Sequence, residues 1–209
     1  MTLLQGRTHP DWLDVSAETA GLLEKFVGMV EKWNPAINLI SRRSVPELWE
    51  RHVLDSAQLF DFVPKQAHHL VDLGSGGGFP GLVLGILAHA AIPAMTVTLV
   101  EVDQRKATFL SEAVRNLGLT CSVLVQRIES VAPQRADVVT ARALAPLVTL
   151  CGHVHRHMHP EGVALIAKGL RVEDELSEAR KVWSFTATSV PSKTDENATI
   201  LVIRDLRHV

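Results

Sequence analysis

The order of apolar segments along the chain predicts an α/β fold, a mostly parallel sheet covered by helices on both faces behind an N-terminal helical extension. Three observations carry that prediction. From residue 69 onward, short runs rich in Val and Ile alternate with amphipathic stretches, and runs without polar alternation belong to strands buried on both faces. A glycine-rich turn over 74–81 joins the first such run to a helix-like segment. Before residue 69 the apolar positions recur at spacings of three and four, the helical period, with no strand-like run.

The extension, 1–68, comes first. Ala20, Leu23, Val27 and Val30 form a helical stripe that Phe26 and Trp33 broaden, and Ser16 is its N-cap. Asn34-Pro35 is expected to end this helix, because proline disfavours helical geometry in the residue before it. A second helix is expected after Ser44-Val45-Pro46, running through Trp49, Val53 and Leu59. Neither stripe can be buried within the extension, so both should pack on the remainder, 69–209. There the expected strands are 69–73, 95–101, 121–125, 137–140, 162–168, 184–190 and 198–205, and the expected helices 80–90, 104–117, 146–157 and 172–181. The last two strands follow each other without a helix and should pair antiparallel. Strand–helix repeats closed by such a hairpin give the seven-stranded order of class I S-adenosylmethionine-dependent methyltransferases, a Rossmann-like sheet with an antiparallel last strand, rather than that of symmetric dinucleotide folds.

Composition narrows the function. The chain has 209 residues; its 46% hydrophobic and 21% charged fractions exclude a disordered chain, and 21 Lys+Arg against 23 Asp+Glu, a net charge of −2, argue against a dedicated basic coat for nucleic acid. Cys121 and Cys151 lack metal-ligand spacing, so neither a disulfide framework nor a zinc site is expected. His68-His69 and the histidines between 153 and 159 lack Cys or carboxylate partners at ligand spacing, so they are read as surface residues and no metal is assigned. The N-terminal residues have no signal-peptide pattern, and the longest apolar stretch, 81–95, is broken by His89 and Pro93 and is too short for a bilayer. A cytoplasmic protein without membrane contact, acting as a monomer, is expected.

The strongest local signal is Val71-Asp72-Leu73-Gly74-Ser75-Gly76-Gly77-Gly78-Phe79-Pro80-Gly81, at the carboxyl edge where open α/β sheets bind ligands. Glycines such as Gly74 and Gly76 let a ligand approach the backbone closely. Residues 76–81 satisfy the GxGxxG dinucleotide pattern, which alone is weak. Asp72 is more informative: a carboxylate at the strand end is expected to face a cationic ligand and repel a pyrophosphate, which favours S-adenosylmethionine, with its sulfonium and ammonium, over NAD. Glu101, ending the second strand, can accept both ribose hydroxyls of either cofactor. An NAD(P)-binding oxidoreductase and a non-catalytic adenosylmethionine-binding protein stay open as alternatives on these residues alone.

The turn, together with Trp33-Asn34-Pro35-Ala36-Ile37-Asn38-Leu39 and Arg51-His52-Val53-Leu54-Asp55-Ser56, resembles the bacterial RsmG (GidB, glucose-inhibited division protein B) family, which methylates N7 of a guanine in 16S ribosomal RNA. Arg127-Ile128-Glu129, Ala141-Arg142-Ala143 and Lys168-Gly169 follow in the family's order, so the likeness spans about residues 16–205. The resemblance implies that Gly74 and Phe79 contact the cofactor, that Glu101 holds its ribose and that Ile128 and Glu129 lie beside the adenine. It places Arg142 between cofactor and guanine. The chain departs from the family at Glu196-Asn197-Ala198, where many relatives carry a basic residue, so no RNA contact is carried over there.

Guanine N7 has a free lone pair, so its methylation needs alignment and water exclusion rather than a general base. The sequence lacks the Asn/Asp-Pro-Pro-aromatic motif of exocyclic amine methylation, and neither cysteine follows a proline as in carbon-5 methylation. For RNA, the basic candidates are Arg42 and Arg43, Arg105 and Lys106 in the first turn of a helix where the dipole disfavours them, and Lys168 after the fifth strand. With Arg142, Lys168 is expected to grip phosphate and orient the base. Arg51 and Asp55, one helical turn apart, read as an exposed ion pair, and His52 as a candidate core histidine.

Overall fold

Ser16 takes extended geometry and its hydroxyl accepts the Thr19 N–H at 3.1 Å, which starts α1 (Ala17–Ile37) at the expected residue. The helix does not stop at Asn34-Pro35. Pro35 lies in the last turn, where it forgoes one backbone hydrogen bond, and the end comes at Asn38, left-handed with φ 52°, whose N–H reaches the Asn34 carbonyl. Buried Asn34 also accepts the Ile40 N–H on its side-chain oxygen at 2.9 Å, so the asparagine read as part of a stop signal carries the chain past the proline.

The computed structural model describes residues 2–4, 7–142 and 144–209; Ala143 of the Ala141-Arg142-Ala143 segment lies outside the described residues. A short antiparallel hairpin, β1 (Thr2–Leu4) and β2 (Arg7–His9), precedes α1, where the sequence reading has no strand. The second expected helix is irregular. It is a π-helical segment, Trp49–Leu54, then one turn of α2 (Asp55–Ala57), then a 3-10 segment, Gln58–Phe62.

The remainder alternates as expected: β3 (His69–Leu73), α3 (Gly81–Ala91), β4 (Thr96–Val100), α4 (Gln104–Leu117), β5 (Cys121–Leu124), β6 (Ala136–Arg142), α5 (Leu147–His157), β7 (Met158–Lys168), α6 (Val172–Ala179), β8 (Trp183–Pro191) and β9 (Thr199–His208). Between β5 and β6 the connection holds a 3-10 turn, Ile128–Ser130, in place of a full helix. The sheet order is β5-β4-β3-β6-β7-β9-β8, with β9 antiparallel to both neighbours and the other pairings parallel, the class I methyltransferase order. β6 and β7 begin earlier than expected because Ala136 pairs with Met158 before a register shift at Val138. Gly162 permits that irregularity, since a Cβ there would stand 3.0 Å from the Ala136 and Asp137 carbonyl oxygens.

Alternation along β3 sends Leu70 and Val71 to opposite faces, and each face has its own core. Leu70, Leu99 and Leu165 meet α1, α3 and α4 through Phe26, Leu82 and Phe109. Val71, Val139, Ile166 and Leu201 meet α5 and α6 through Leu147 and Leu176. Phe26 of the extension is fully buried between Phe79 and Phe109, ring centroids 5.2 and 6.4 Å away. Each large apolar side chain buried this way contributes roughly 1.5–3 kcal/mol, so the extension is fastened by the same cluster that holds the sheet. No helix among the described residues is long and apolar enough to cross a membrane.

Candidate active site at the carboxyl edge of the sheet

β3 is the central strand at which the order reverses, and its carboxyl end opens the ligand edge. The turn that follows is tied to the neighbouring strand: the N–H groups of Gly74 and Ser75 both donate to the Val100 carbonyl, at 2.9 and 3.0 Å. Gly74, Gly76 and Gly78 take φ of 71°, 54° and 90°, a region that side chains rarely enter. Leu144 packs directly on the Cα face of Gly74, where a Cβ would come within 2.7 Å of its Cδ1.

Asp72 does not face the open edge, which corrects the sequence reading. Its side chain is 1% exposed; Oδ1 accepts the Thr140 hydroxyl at 2.7 Å and Oδ2 the Gly81 N–H at 3.2 Å. Burial pushes its carboxyl above the usual range, while the bonds from Thr140 and Gly81 pull the other way. The reason is register: Asp72 lies opposite Thr140 in the β3–β6 pairing, so two polar residues meet inside the sheet. Gly81 is the counterpart on α3, since a Cβ there would stand 2.5 Å from the carboxylate and from Leu99. Asp72 thus fastens β3, β6 and the start of α3 around the glycine turn.

Glu101, just past β4, is 7% exposed and accepts the Gly76 N–H on Oε2 at 2.7 Å and the Asp103 N–H on Oε1 at 2.8 Å. Each oxygen keeps a further lone pair for a hydroxyl. Next to it Val102 is 59% exposed, an apolar side chain at the same edge. Ile128 is half-buried in its 3-10 turn, and Glu129 is exposed, 3.7 Å from His153 Nε2. These features fit S-adenosylmethionine: a glycine cradle for the amino-acid end, a fixed carboxylate for the ribose and apolar side chains for a flat base.

Arg142, at the end of β6, is enclosed by the extension. Its Nη2 donates to His52 Nδ1 at 2.6 Å, and its Nη1 to the Arg51 carbonyl at 3.1 Å and Asp55 Oδ2 at 3.3 Å. Its guanidinium lies 5.6 Å from the centroid of Phe79, whose buried ring packs between Phe26 and His52. The exposed Arg51–Asp55 pair is therefore absent: the Arg51 side chain bonds Glu47 at 3.1 Å, while Asp55 turns inward to Arg142. Burial, then the Arg142 and Arg51 charges, push the His52 pKa down to about 4, so the ring is neutral.

Lys168 is anchored too. Its Nζ donates to Glu175 Oε2 at 2.7 Å and to the Ala145 carbonyl at 3.0 Å, and the same Glu175 oxygen accepts the Leu147 N–H at 2.8 Å. It joins β7, α6 and the loop before α5. Arg142 and Lys168 both line a cleft of about 1510 Å³, together with Leu144, His52, Asp55 and the loop carrying Asp195 and Glu196. Arg42, Arg43, Arg105 and Lys106 are not brought to its lining. Arg42 and Arg43 are exposed on a 3-10 turn, Arg42–Ser44, whose neighbour Ser41 lines the cleft. Asp103 caps α4 by accepting the Arg105 and Lys106 N–H groups, and it lies 3.7 Å from the Arg105 guanidinium, so the unfavourable cations are offset locally. Burial pushes the thiols of Cys121 and Cys151 up to about 12 and about 11, which leaves neither as a nucleophile. Among the described residues no group of three or more His, Cys, Asp or Glu is placed to hold a metal ion.

The sequence reading missed the contributions of His52, Asp55, Glu175 and Leu144. For His52 and Asp55 the signal was the spacing in RHxxDS, which on one helical face brings a ring and a carboxylate to a common partner; Leu144 and Glu175 carried no such local signal.

Comparison with known proteins adds to this geometry. The family described as rRNA small subunit methyltransferase G (GidB) matches residues 20–201. The Ribosomal RNA small subunit methyltransferase G of Cereibacter sphaeroides is 50% identical over 197 residues, 94% of this chain and 96% of that protein. The protein of the same name from Paramagnetospirillum magneticum is 47% identical over 192 residues, covering 92% of this chain and 91% of that one. Among solved structures, a SAM-dependent methyltransferase from Aquifex aeolicus is similar with a TM-score of 0.59 at 15% identity, covering 76% of this chain and 92% of that one. A methyltransferase from Geobacter sulfurreducens gives 0.60 at 17%, covering 91% and 96%.

Proposed function

The chain belongs to the rRNA small subunit methyltransferase G (GidB) family, and on that premise we propose that it transfers a methyl group from S-adenosylmethionine to N7 of a guanine in 16S ribosomal RNA. The observation that carries the reading is the position of Arg142: it closes the strand beside the glycine turn and lines the large cleft on the other side. Membership also removes the nicotinamide and non-catalytic alternatives.

When bound, S-adenosylmethionine supplies an electrophilic methyl group. Gly74, Gly76, Phe79, Glu101, Ile128 and Glu129 form its binding edge, with Glu101 taking the ribose hydroxyls. Guanine N7 carries an unshared pair and no proton, so the chain supplies alignment and water exclusion. Arg142 stands between the two ligands and orients them. Lys168, tied to Glu175, acts as a brace of the cleft wall that holds the loop before α5 against the base. Asp72 serves the edge from inside the sheet. Arg42, Arg43 and Arg105, exposed, and Lys106, half-buried, are the cations offered to RNA phosphate. Residues 1–68 and 69–209 work as one unit, since the extension supplies the partners of Arg142. The setting is a cytoplasmic monomer that meets the RNA in a small ribosomal subunit.

The test uses methyl-labelled adenosylmethionine and small subunits that lack the mark. Label should appear in the 16S RNA with the wild-type chain and be reduced at least a hundredfold, roughly the loss for a displaced aligning group, with Arg142→Ala. Label absent from the RNA with the wild-type chain would overturn the function, and equal labelling by Arg142→Ala would remove that residue from the site.

A further inference from the structure

We propose that His52 and Asp55 are positioning residues for the transfer, holding the Arg142 guanidinium in the orientation it uses at the cofactor edge; this rests on the reading of Arg142 given above. A guanidinium donates in a fixed plane and accepts nothing, so its direction is set by the acceptors around it. Here they come from one short stretch of the extension: the Arg51 carbonyl, His52 Nδ1 and Asp55 Oδ2. Arg51 and His52 lie in the π-helical segment, a widened geometry that recurs at functional sites, and Asp55 follows at its end. Phe79 stacks with both the guanidinium and the His52 ring, which limits the motion that remains.

The arrangement exceeds what stability requires. Because arginine only donates, His52 Nδ1 must carry the lone pair and Nε2 the hydrogen, and that Nε2 is buried with no hydrogen-bond partner among the described residues. A buried donor left unpaired costs stability, so the acceptor that Nδ1 offers the arginine carries a penalty at Nε2. Asp55 has a second tie. Its Oδ1 accepts the Thr194 hydroxyl at 3.1 Å and the Gln58 amide at 3.0 Å. Gln58 in turn accepts the Lys193 N–H at 2.8 Å and donates to Ser192 Oγ at 2.9 Å. One carboxylate therefore joins the arginine of the cofactor edge to the β8–β9 loop that lines the cleft.

The experiment compares His52→Leu, His52→Asn, Asp55→Ala and Asp55→Asn in the full chain, measuring kcat, KM for small subunits, adenosylmethionine affinity and Tm. His52→Leu and Asp55→Ala should lower kcat by about tenfold or more, the scale of a misaligned group, with KM for subunits within about twofold. His52→Asn, which keeps an acceptor near the Nδ1 position, should recover most of the loss. In an Arg142→Lys background, where the fork is gone, His52→Leu should add little. Wild-type kcat in His52→Leu and Asp55→Ala, beside a defective Arg142→Ala, would overturn the positioning role and leave the Arg142 reading intact. Wild-type activity of Arg142→Ala would overturn that reading instead. Losses that add fully in the Arg142→Lys background would assign the pair a merely structural role. If Asp55→Ala does not fold, Asp55→Asn, which drops the charge and keeps an acceptor for Thr194, decides by the same kcat criterion.

Discussion

Two carboxylates near the ends of adjacent strands, Asp72 and Glu101, have opposite tasks, and strand register separates them. Asp72 points into the sheet at Thr140 and Gly81, whereas Glu101 fastens the glycine turn at the carboxyl edge. Asp72→Ala leaves a hydroxyl and an N–H unpaired in the core and should destabilise by about 1–3 kcal/mol for each, read from denaturant unfolding. Glu101→Ala should weaken adenosylmethionine by about ten- to a hundredfold in calorimetry, the loss of roughly 1.5–3 kcal/mol expected for hydrogen bonds to a charged group. Unchanged affinity would exclude Glu101 from the ribose site. His52 gives a pH signature. Its folded pKa of about 4 lies below the ordinary 6.5, so the unfolded chain binds the extra proton between these values. Stability should therefore fall as pH drops from 6.5 towards 4. Burial lowers His69 and His157 as well, so the difference between wild type and His52→Asn isolates this residue. The strand ends and the glycine turn were legible in the sequence; the direction of Asp72 was not, because it follows from a pairing 68 residues away. Thr140, a lone hydroxyl in the run Val138-Val139-Thr140-Ala141, was the available trace.

Periodicity predicts the regular elements well and the irregular ones poorly. The strands from residue 69 onward, their helices and the closing hairpin stand in the expected order because short Val- and Ile-rich runs alternate with amphipathic stretches. α1 runs past Pro35 where the side chain of buried Asn34 adds a bond to the Ile40 N–H outside the backbone ladder and secures the next turn, an effect no propensity contains. The 49–62 segment changes from π to α to 3-10 geometry; its first part meets Arg142 and its last the 192–194 loop, partners that no local pattern reveals. At α4, the cap accounts for what sequence rules read as a conflict. Asp103→Ala should cost about 0.5–2 kcal/mol and leave Arg105 and Lys106 opposed to the helix dipole without compensation. Gly81→Ala should destabilise by about 1–3 kcal/mol through overpacking at the start of α3, with cofactor affinity falling alongside.

At the scale of the whole molecule, a net charge of −2 must be reconciled with an RNA substrate. The cleft does not supply the attraction. Three of its cations, Arg51, Arg142 and Lys168, are paired with Glu47, Asp55 and Glu175; the fourth, Arg171, is exposed, and Glu50, Asp174, Glu178, Asp195 and Glu196 outweigh it with negative charge. Arg105 and Lys106, outside the cleft, are the cations to test for phosphate contact. Replacing Arg105 and Lys106 with Gln should weaken RNA binding and flatten its salt dependence by about one to two unit slopes, and an unchanged slope would make them ordinary surface charges. Such weak bulk attraction suits recognition of a structured RNA by shape rather than by charge. The central claim is that the base is attacked at N7. Small subunits methylated by the purified chain, treated with borohydride and aniline, should be cleaved at a single guanine of the 16S RNA, in step with label uptake. Label that enters the RNA without creating an aniline-sensitive guanine would contradict it.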